Sequence, residues 1–150
     1  MSDSAATAAN AQVLAERAAG ALLGRDRASQ ALGMRLLDVA PGRARVLMRV
    51  RADMLNGHGL CHGGLVFALA DSAFACACNS HNESTVAAAA AIDFLAPARE
   101  DDELTAEASE LWRSGRNGLY EIVIANQRGE RIALFRGRSY RVAGQLVSAE

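Results

Sequence analysis

One acidic residue, Asp71, stands alone in an apolar run from Leu65 to Cys78. Taking a carboxylate out of water is costly unless it is paired or put to use. Asp71 therefore has two readings. It is a base or nucleophile whose pKa is set by apolar surroundings, or it emerges at the rim of its element, tied to Ser72 or a backbone N–H. A second group lies just upstream: Asn56, then Cys61-His62-Gly63-Gly64 where the apolar run begins. If a helix starts there, its first N–H groups lack intrahelical acceptors and suit a developing oxyanion. Glycine also lets a carbonyl approach the backbone closely. The alternative is a glycine-rich turn that serves only to enter the helix.

The two groups together constrain the assembly. Gly63 and Asp71 are eight residues apart, ~12 Å along a helix axis. An attacking water and an oxyanion must sit ~3 Å from groups acting on one carbonyl. One helix cannot supply both, whereas two antiparallel copies related by a two-fold axis can. If both residues are catalytic, the site is shared across a homodimer.

The surrounding pattern predicts the elements that hold these residues. Residues 1–9 are small and polar and are expected to be disordered. Ala11 to Leu23 reads as an amphipathic helix closed by Gly24, with a short turn from Arg25 to Leu32. Met34–Ala40 and Ala44–Arg51 are β-like, joined by the hairpin signal Pro41-Gly42. After an irregular loop from Ala52 to Cys61, the helix opened by Gly63-Gly64 and closed by Asn79-Ser80 is apolar nearly all round, so the rest of the protein should wrap it. Thr85–Leu95 contains five consecutive alanines, which favour helix by propensity, yet reads as a strand lying close against a packed helix and ending before Pro97. Leu104–Arg113, Leu119–Gln127 and Arg131–Val142 alternate as strands. One buried helix with mostly antiparallel strands is an α+β fold with the sheet curled round the helix, in a single domain over residues 1–150. Unpaired sheet edges favour pairing between protomers.

Composition narrows the chemistry. Every one of the 16 basic residues is arginine, which removes Schiff-base chemistry, a P-loop lysine and lysine bases. The net charge of -1, with both signs interspersed, argues against a nucleic-acid or anionic-membrane partner. No apolar stretch is long enough for a transmembrane helix. Cys61, Cys76 and Cys78 suggest small buried hydrophobes in a reducing cytoplasm rather than disulfides or a metal site, and the first ten residues lack the features of a secretory signal. A Cys61–His62 nucleophile would need sequence neighbours to face each other and a third group to orient them, and none is evident.

At these residues the sequence resembles the hotdog-fold acyl-CoA thioesterases, and within them the PaaI type associated with phenylacetate degradation. The resemblance rests on MLNGHGLCHGGLVFALADSAFACACNS (Met54 to Ser80), AIDFLAPA (Ala91 to Ala98) and GLYEIVIANQRGERIALFRGRSYRV (Gly118 to Val142), with weaker similarity around GMRLLDVAPGRARVLMRV. It implies a long helix in an antiparallel sheet, dimerised and usually tetramerised. It implies that Asp71 is the catalytic carboxylate, that the Gly63 N–H polarises the thioester carbonyl, that Asn56 orients substrate or water, and that His62 shapes the loop. Some relatives carry a Ser or Thr on the strand facing the helix, where this chain has Ala87–Ala91.

The implied substrate is an aryl-acetyl-CoA, with coenzyme A part of the substrate and no cofactor or metal. An aromatic acyl group needs a flat apolar pocket, for which Leu65, Phe67, Phe74 and Phe94, beside Gly64, are the candidates. Arg113 and Arg116 at the turn Ser114–Gly118, and Arg136, Arg138 and Arg141 on the last strand, are candidates for the CoA phosphates; the alternative is that they are solvated strand-face arginines. Two other functions remain open. A hotdog hydratase or dehydratase needs a histidine close to a carboxylate, and the only histidines are His58, His62 and His81. A non-catalytic acyl-CoA-binding regulator would have no need of the Asp71 charge.

Overall fold

The computed structural model describes residues 2–148. The chain forms α1 (Ser2–Arg25), α2 (Arg27–Ala31), β1 (Arg35–Ala40), β2 (Arg43–Arg49), a 3₁₀ turn (Ala52–Met54), α3 (Gly63–Asn79), β3 (Thr85–Phe94), β4 (Glu103–Ser114), β5 (Asn117–Ala125) and β6 (Arg131–Arg141). All six strands join one antiparallel sheet in the order β1-β2-β4-β5-β6-β3. α3 packs against β2 to β6 and against α1, and only marginally against β1.

Strand alternation explains how the sheet takes hold of the helix. Ala44, Val46 and Met48 of β2, Leu104, Ala106 and Ala108 of β4, Tyr120, Ile122 and Ile124 of β5, and Phe135 of β6 are buried on one face. They meet Val66, Leu69, Ala70, Ala73, Phe74 and Ala77 of α3, all buried. Phe74 packs between Tyr120 and Phe135 with ring centroids 5.4 Å and 6.0 Å away, and Phe67 meets Phe135 edge-on at 5.1 Å. All three cysteines are free and buried.

Two segments show which local force prevails. Of residues 1–9, expected to be disordered, 2–9 form the first turns of α1, and Met1 lies outside the described residues. The side chains from Asp3 to Asn10 are exposed, so alanine's helix propensity, with Asp3 at the positive end of the helix dipole, holds these turns rather than tertiary packing. In β3 the opposite holds. Its alanine run pairs with β6 from Thr85↔Arg141 to Phe94↔Ala133, with one irregularity between Ala87 and Ala89. The sheet ladder overrides the propensity.

Close approach of helix and sheet depends on one glycine. A Cβ on Gly137 of β6 would lie 2.7 Å from the Phe74 ring, inside van der Waals contact. Gly137→Ala is expected to lose about 1–3 kcal/mol by overpacking, read as a lower urea midpoint with an unchanged denaturant slope.

Candidate active site

The first turn of α3 can be accounted for donor by donor. His62 is the N-cap, and its Nδ1 accepts the Gly64 N–H at 2.9 Å. The His62 carbonyl accepts the N–H groups of Leu65 at 2.9 Å and Val66 at 3.2 Å. The Gly63 N–H has no acceptor among the described residues. It is thus the free donor at the positive end of the helix dipole. Because Nδ1 accepts, the neutral His62 ring carries its proton on Nε2.

The loop before the helix fixes Asn56. Its Oδ1 accepts the N–H groups of His58 at 2.9 Å and Leu60 at 3.2 Å, while its backbone N–H donates to the Leu60 carbonyl at 2.7 Å. With Oδ1 occupied twice, the side-chain amide has one orientation, and Nδ2 has no acceptor among the described residues. The Cys61 N–H donates to the Ala98 carbonyl and the His62 N–H to the Met54 carbonyl, each at 2.8 Å, which pins the loop to the helix entrance. Asn56 and Gly63 line one cavity of about 370 Å³ with Phe94, Pro97 and Ile132.

Asp71 lies on a different cavity, of about 350 Å³, with Leu22, Arg25, Asp26, Phe74 and Thr85. Its carboxylate has no hydrogen-bond or ion-pair partner among the described residues. The Ser72 hydroxyl faces Ser29 at 2.7 Å, so the reading in which Ser72 ties Asp71 down does not hold. Burial, and then the neighbouring Asp26 charge, push the Asp71 carboxyl above the ordinary aspartate range. An unpaired, half-buried carboxylate of raised basicity on a cavity wall can take a proton from water or attack a carbonyl.

The proposed acyl-pocket residues are not brought together. Phe94 faces the Gly63 cavity and Phe74 the Asp71 cavity. Leu65 and Phe67 pack against the core and line neither. The arginines are mostly engaged by protein partners. Arg113 reaches Glu83 at 3.4 Å and Glu110 at 3.9 Å, Arg141 reaches Glu83 at 3.1 Å, Arg136 reaches Glu121 at 3.5 Å, and Arg138 donates to Asn117 at 3.0 Å. Arg116 borders a small recess with Arg113 and Arg141 and has no side-chain partner among the described residues.

Leu22, Arg25 and Asp26 were not among the sequence candidates. The spacing Asp26-Arg-Ala-Ser29 is a helix-start signal that marks Asp26 as a cap. Nothing local shows that the cap lies beside Asp71.

Known proteins resemble this chain in sequence and in structure. The family model of the thioesterase superfamily matches residues 58–133. The acyl-coenzyme A thioesterase PaaI of Escherichia coli (strain K12) is 46% identical over 129 residues, covering 86% of this chain and 92% of that protein. The structure of the E. coli PaaI protein from the phenylacetic acid degradation operon superposes with a TM-score of 0.88 at 45% identity, covering 89% of this chain and 97% of the other. A mutant of the phenylacetic acid degradation protein PaaI from Thermus thermophilus superposes with a TM-score of 0.75 at 39% identity, covering 78% and 100% of the two chains.

The raised Asp71 pKa has a consequence for stability. Between the ordinary aspartate value and the raised one, the folded state binds more protons than the unfolded state, so stability falls as pH rises through that window. Asp71→Asn is expected to raise the melting temperature at neutral pH. The gain should shrink as pH falls through the carboxyl's titration and vanish below the ordinary aspartate range, which thermal melts across a pH series will check.

Proposed function

The chain belongs to the thioesterase superfamily, with its hotdog fold and its thioester hydrolase activity on acyl-CoA, and from that premise we propose that it releases coenzyme A from phenylacetyl-CoA or its ring-hydroxylated forms. The phenylacetic acid degradation operon that supplies the E. coli relative supports this substrate class. The compartment is the cytoplasm, consistent with three free cysteines. No described helix is long and apolar enough to cross a membrane.

The observation that carries the mechanism is that Gly63 and Asn56 line one cavity and Asp71 another. The two catalytic halves meet when a second copy joins the first. β3 is an edge strand whose residues Val86 to Ala91 are exposed on both faces. A second β3 paired there across a two-fold axis continues the sheet, closes the edge and sets two α3 helices antiparallel. The Gly63 end of one helix then faces Asp71 of the partner subunit. Two such dimers form the functional tetramer.

In each shared site the thioester carbonyl oxygen lies between the Gly63 N–H and Asn56 Nδ2. These fixed donors stabilise the oxyanion as it develops. His62 contributes by capping Gly64. Asp71 of the partner subunit acts either as base toward water or as nucleophile on the carbonyl carbon. By the base route the water oxygen bonds to carbon while its proton passes to Asp71. The tetrahedral intermediate then collapses with cleavage of the C–S bond, and the thiolate takes a proton to leave as free CoA. The aryl group lies against Phe74 and Phe94, which come from opposite sides of the shared site. Of the five candidate arginines, Arg116 is the one left free for a CoA phosphate, because its guanidinium has no side-chain partner among the described residues.

Asp71→Asn is expected to lower kcat by about 10²–10⁴, measured by thiol release from phenylacetyl-CoA; near-normal turnover would sink the assignment. The same assay should show higher kcat/KM for aryl-acetyl-CoA than for medium-chain acyl-CoA, and a preference for long straight chains would overturn the substrate class. Sharing is tested by mixing an Asp71→Asn protomer with a Gly63→Pro protomer after checking that each assembles. A heterodimer holds one doubly defective and one intact site, so activity should return to at most about half of wild type per heterodimer. Subunit exchange without recovery would contradict a shared site.

A further inference from the structure

Asp26 sits at the junction of α1 and α2, outside the stretch matched by the family model, residues 58–133. It caps α2: Oδ1 accepts the Ser29 N–H at 2.9 Å, and Oδ2 accepts the Ser29 hydroxyl. The Ser29 hydroxyl, buried to 3% exposure, also lies 2.7 Å from the Ser72 hydroxyl. The proton count fixes the direction of this chain. An ionised Asp26 only accepts, so Ser29 gives it its single proton, and Ser72 must donate to Ser29. The relay Ser72→Ser29→Asp26 joins α2 to the residue next to Asp71.

Asp26 also lines the cavity that Asp71 lines. The other charged or titratable groups facing that cavity are Arg25 from α1 and the Cys78 thiol from α3; β3 brings Thr85, Val86 and Ala87. Arg25 forms no ion pair with either carboxylate among the described residues. Its guanidinium donates to the Ala21 carbonyl at 3.1 Å and the Leu146 carbonyl at 2.9 Å. Two carboxylates therefore share a cavity without a cation bridging them.

We propose that Asp26 is a positioning residue for thioester hydrolysis, fixing through Ser29 and Ser72 the helix turn that carries Asp71 and setting a second negative charge on the wall of the Asp71 cavity. The inference rests on the reading that Asp71 is the catalytic carboxylate. The relay restricts the α3 turn, and a displacement of about 1 Å at a catalytic group is enough to slow a reaction substantially. The charge opposes ionisation of Asp71, so the carboxylate that does form binds a proton more strongly.

The test compares pH profiles of kcat/KM on phenylacetyl-CoA for wild type, Asp26→Asn, Ser72→Ala and Asp71→Asn. Asparagine is as good an N-cap as aspartate, so Asp26→Asn keeps the helix start while removing the charge and reversing the relay. Its kcat/KM should fall about 10-fold, and its acid limb should move to lower pH because one cause of the raised Asp71 basicity is gone. Ser72→Ala cuts the tie to α3 and keeps the charge. It should lose rate while its acid limb stays at the wild-type position, and it tests the relay even if Asp26→Asn fails to fold. A wild-type rate and profile in Asp26→Asn, or a wild-type rate in Ser72→Ala, would overturn the proposal. So would a rate loss in Asp26→Asn with an unmoved acid limb, which marks a merely structural cap. Wild-type turnover in Asp71→Asn would remove the catalytic reading beneath it, whereas a dead Asp71→Asn beside a normal Asp26→Asn would remove this inference alone.

Discussion

The rest of the structure depends on covering α3. A helix this apolar cannot lie on a surface with one face in water, so the sheet must bend round it, and most of the core forms between the two. Small residues at the contact, Ala70, Ala73 and Ala77 on the helix and Gly137 on β6, set the closeness of that approach. The functional arrangement follows from the same wrapping. Enclosure leaves openings at the helix start and along one side, and the Gly63 and Asp71 cavities lie at those openings. The separation of the two groups is thus a property of a straight helix held rigidly inside a sheet.

Two carboxylates near α3 show what that enclosure does to charge. Burial acts to raise the Glu110 carboxyl, but hydrogen bonds from Tyr120 at 2.6 Å and His81 at 2.8 Å outweigh it and hold the group below the ordinary glutamate range. Asp71 has no such donors among the described residues, and burial prevails. Both residues are partly enclosed, and the supply of partners decides the sign. Glu110 reads as a structural anchor joining β4, β5 and the end of the helix. Asp71 is a group left costly to the fold, the kind of compromise expected where a side chain serves something other than stability.

The sequence carried the limits of α3, the Pro41-Gly42 hairpin and the strands β4 to β6, because each rests on local periodicity and turn chemistry; it placed the start of α1 nine residues late. It carried Asp71 and Gly63 as candidates, because a lone charge in an apolar run and a paired glycine at a helix start are visible along the chain. It did not carry the sorting of the aromatic residues. Phe67 and Phe74 are seven residues apart on one helix and both pack on Phe135, yet only Phe74 also lines a cavity with Asp71. That difference lies in where the sheet ends beside each ring, a tertiary property. Asp26 was illegible for the same reason: capping predicts its backbone role, whereas its nearness to Asp71 depends on how α1 and α2 cross α3.

The His62-Gly63-Gly64 triplet can be explained residue by residue from this geometry. Gly64 lacks a side chain because a Cβ there would meet the His62 ring at 3.1 Å, the ring whose Nδ1 accepts the Gly64 N–H. Gly63 lacks one because a Cβ would meet the Phe94 ring, also at 3.1 Å. The cap and the aromatic wall therefore each crowd a side chain at these positions, through different neighbours. Their joint effect is selective: His62 occupies three of the four N–H groups of the first turn, one through its ring and two through its carbonyl. A single donor is left, backed by the helix dipole and flanked by a flat apolar surface. A helix start with several open donors would bind any small anion, whereas one donor beside Phe94 and the fixed Asn56 amide favours a carbonyl oxygen on a molecule with an apolar body.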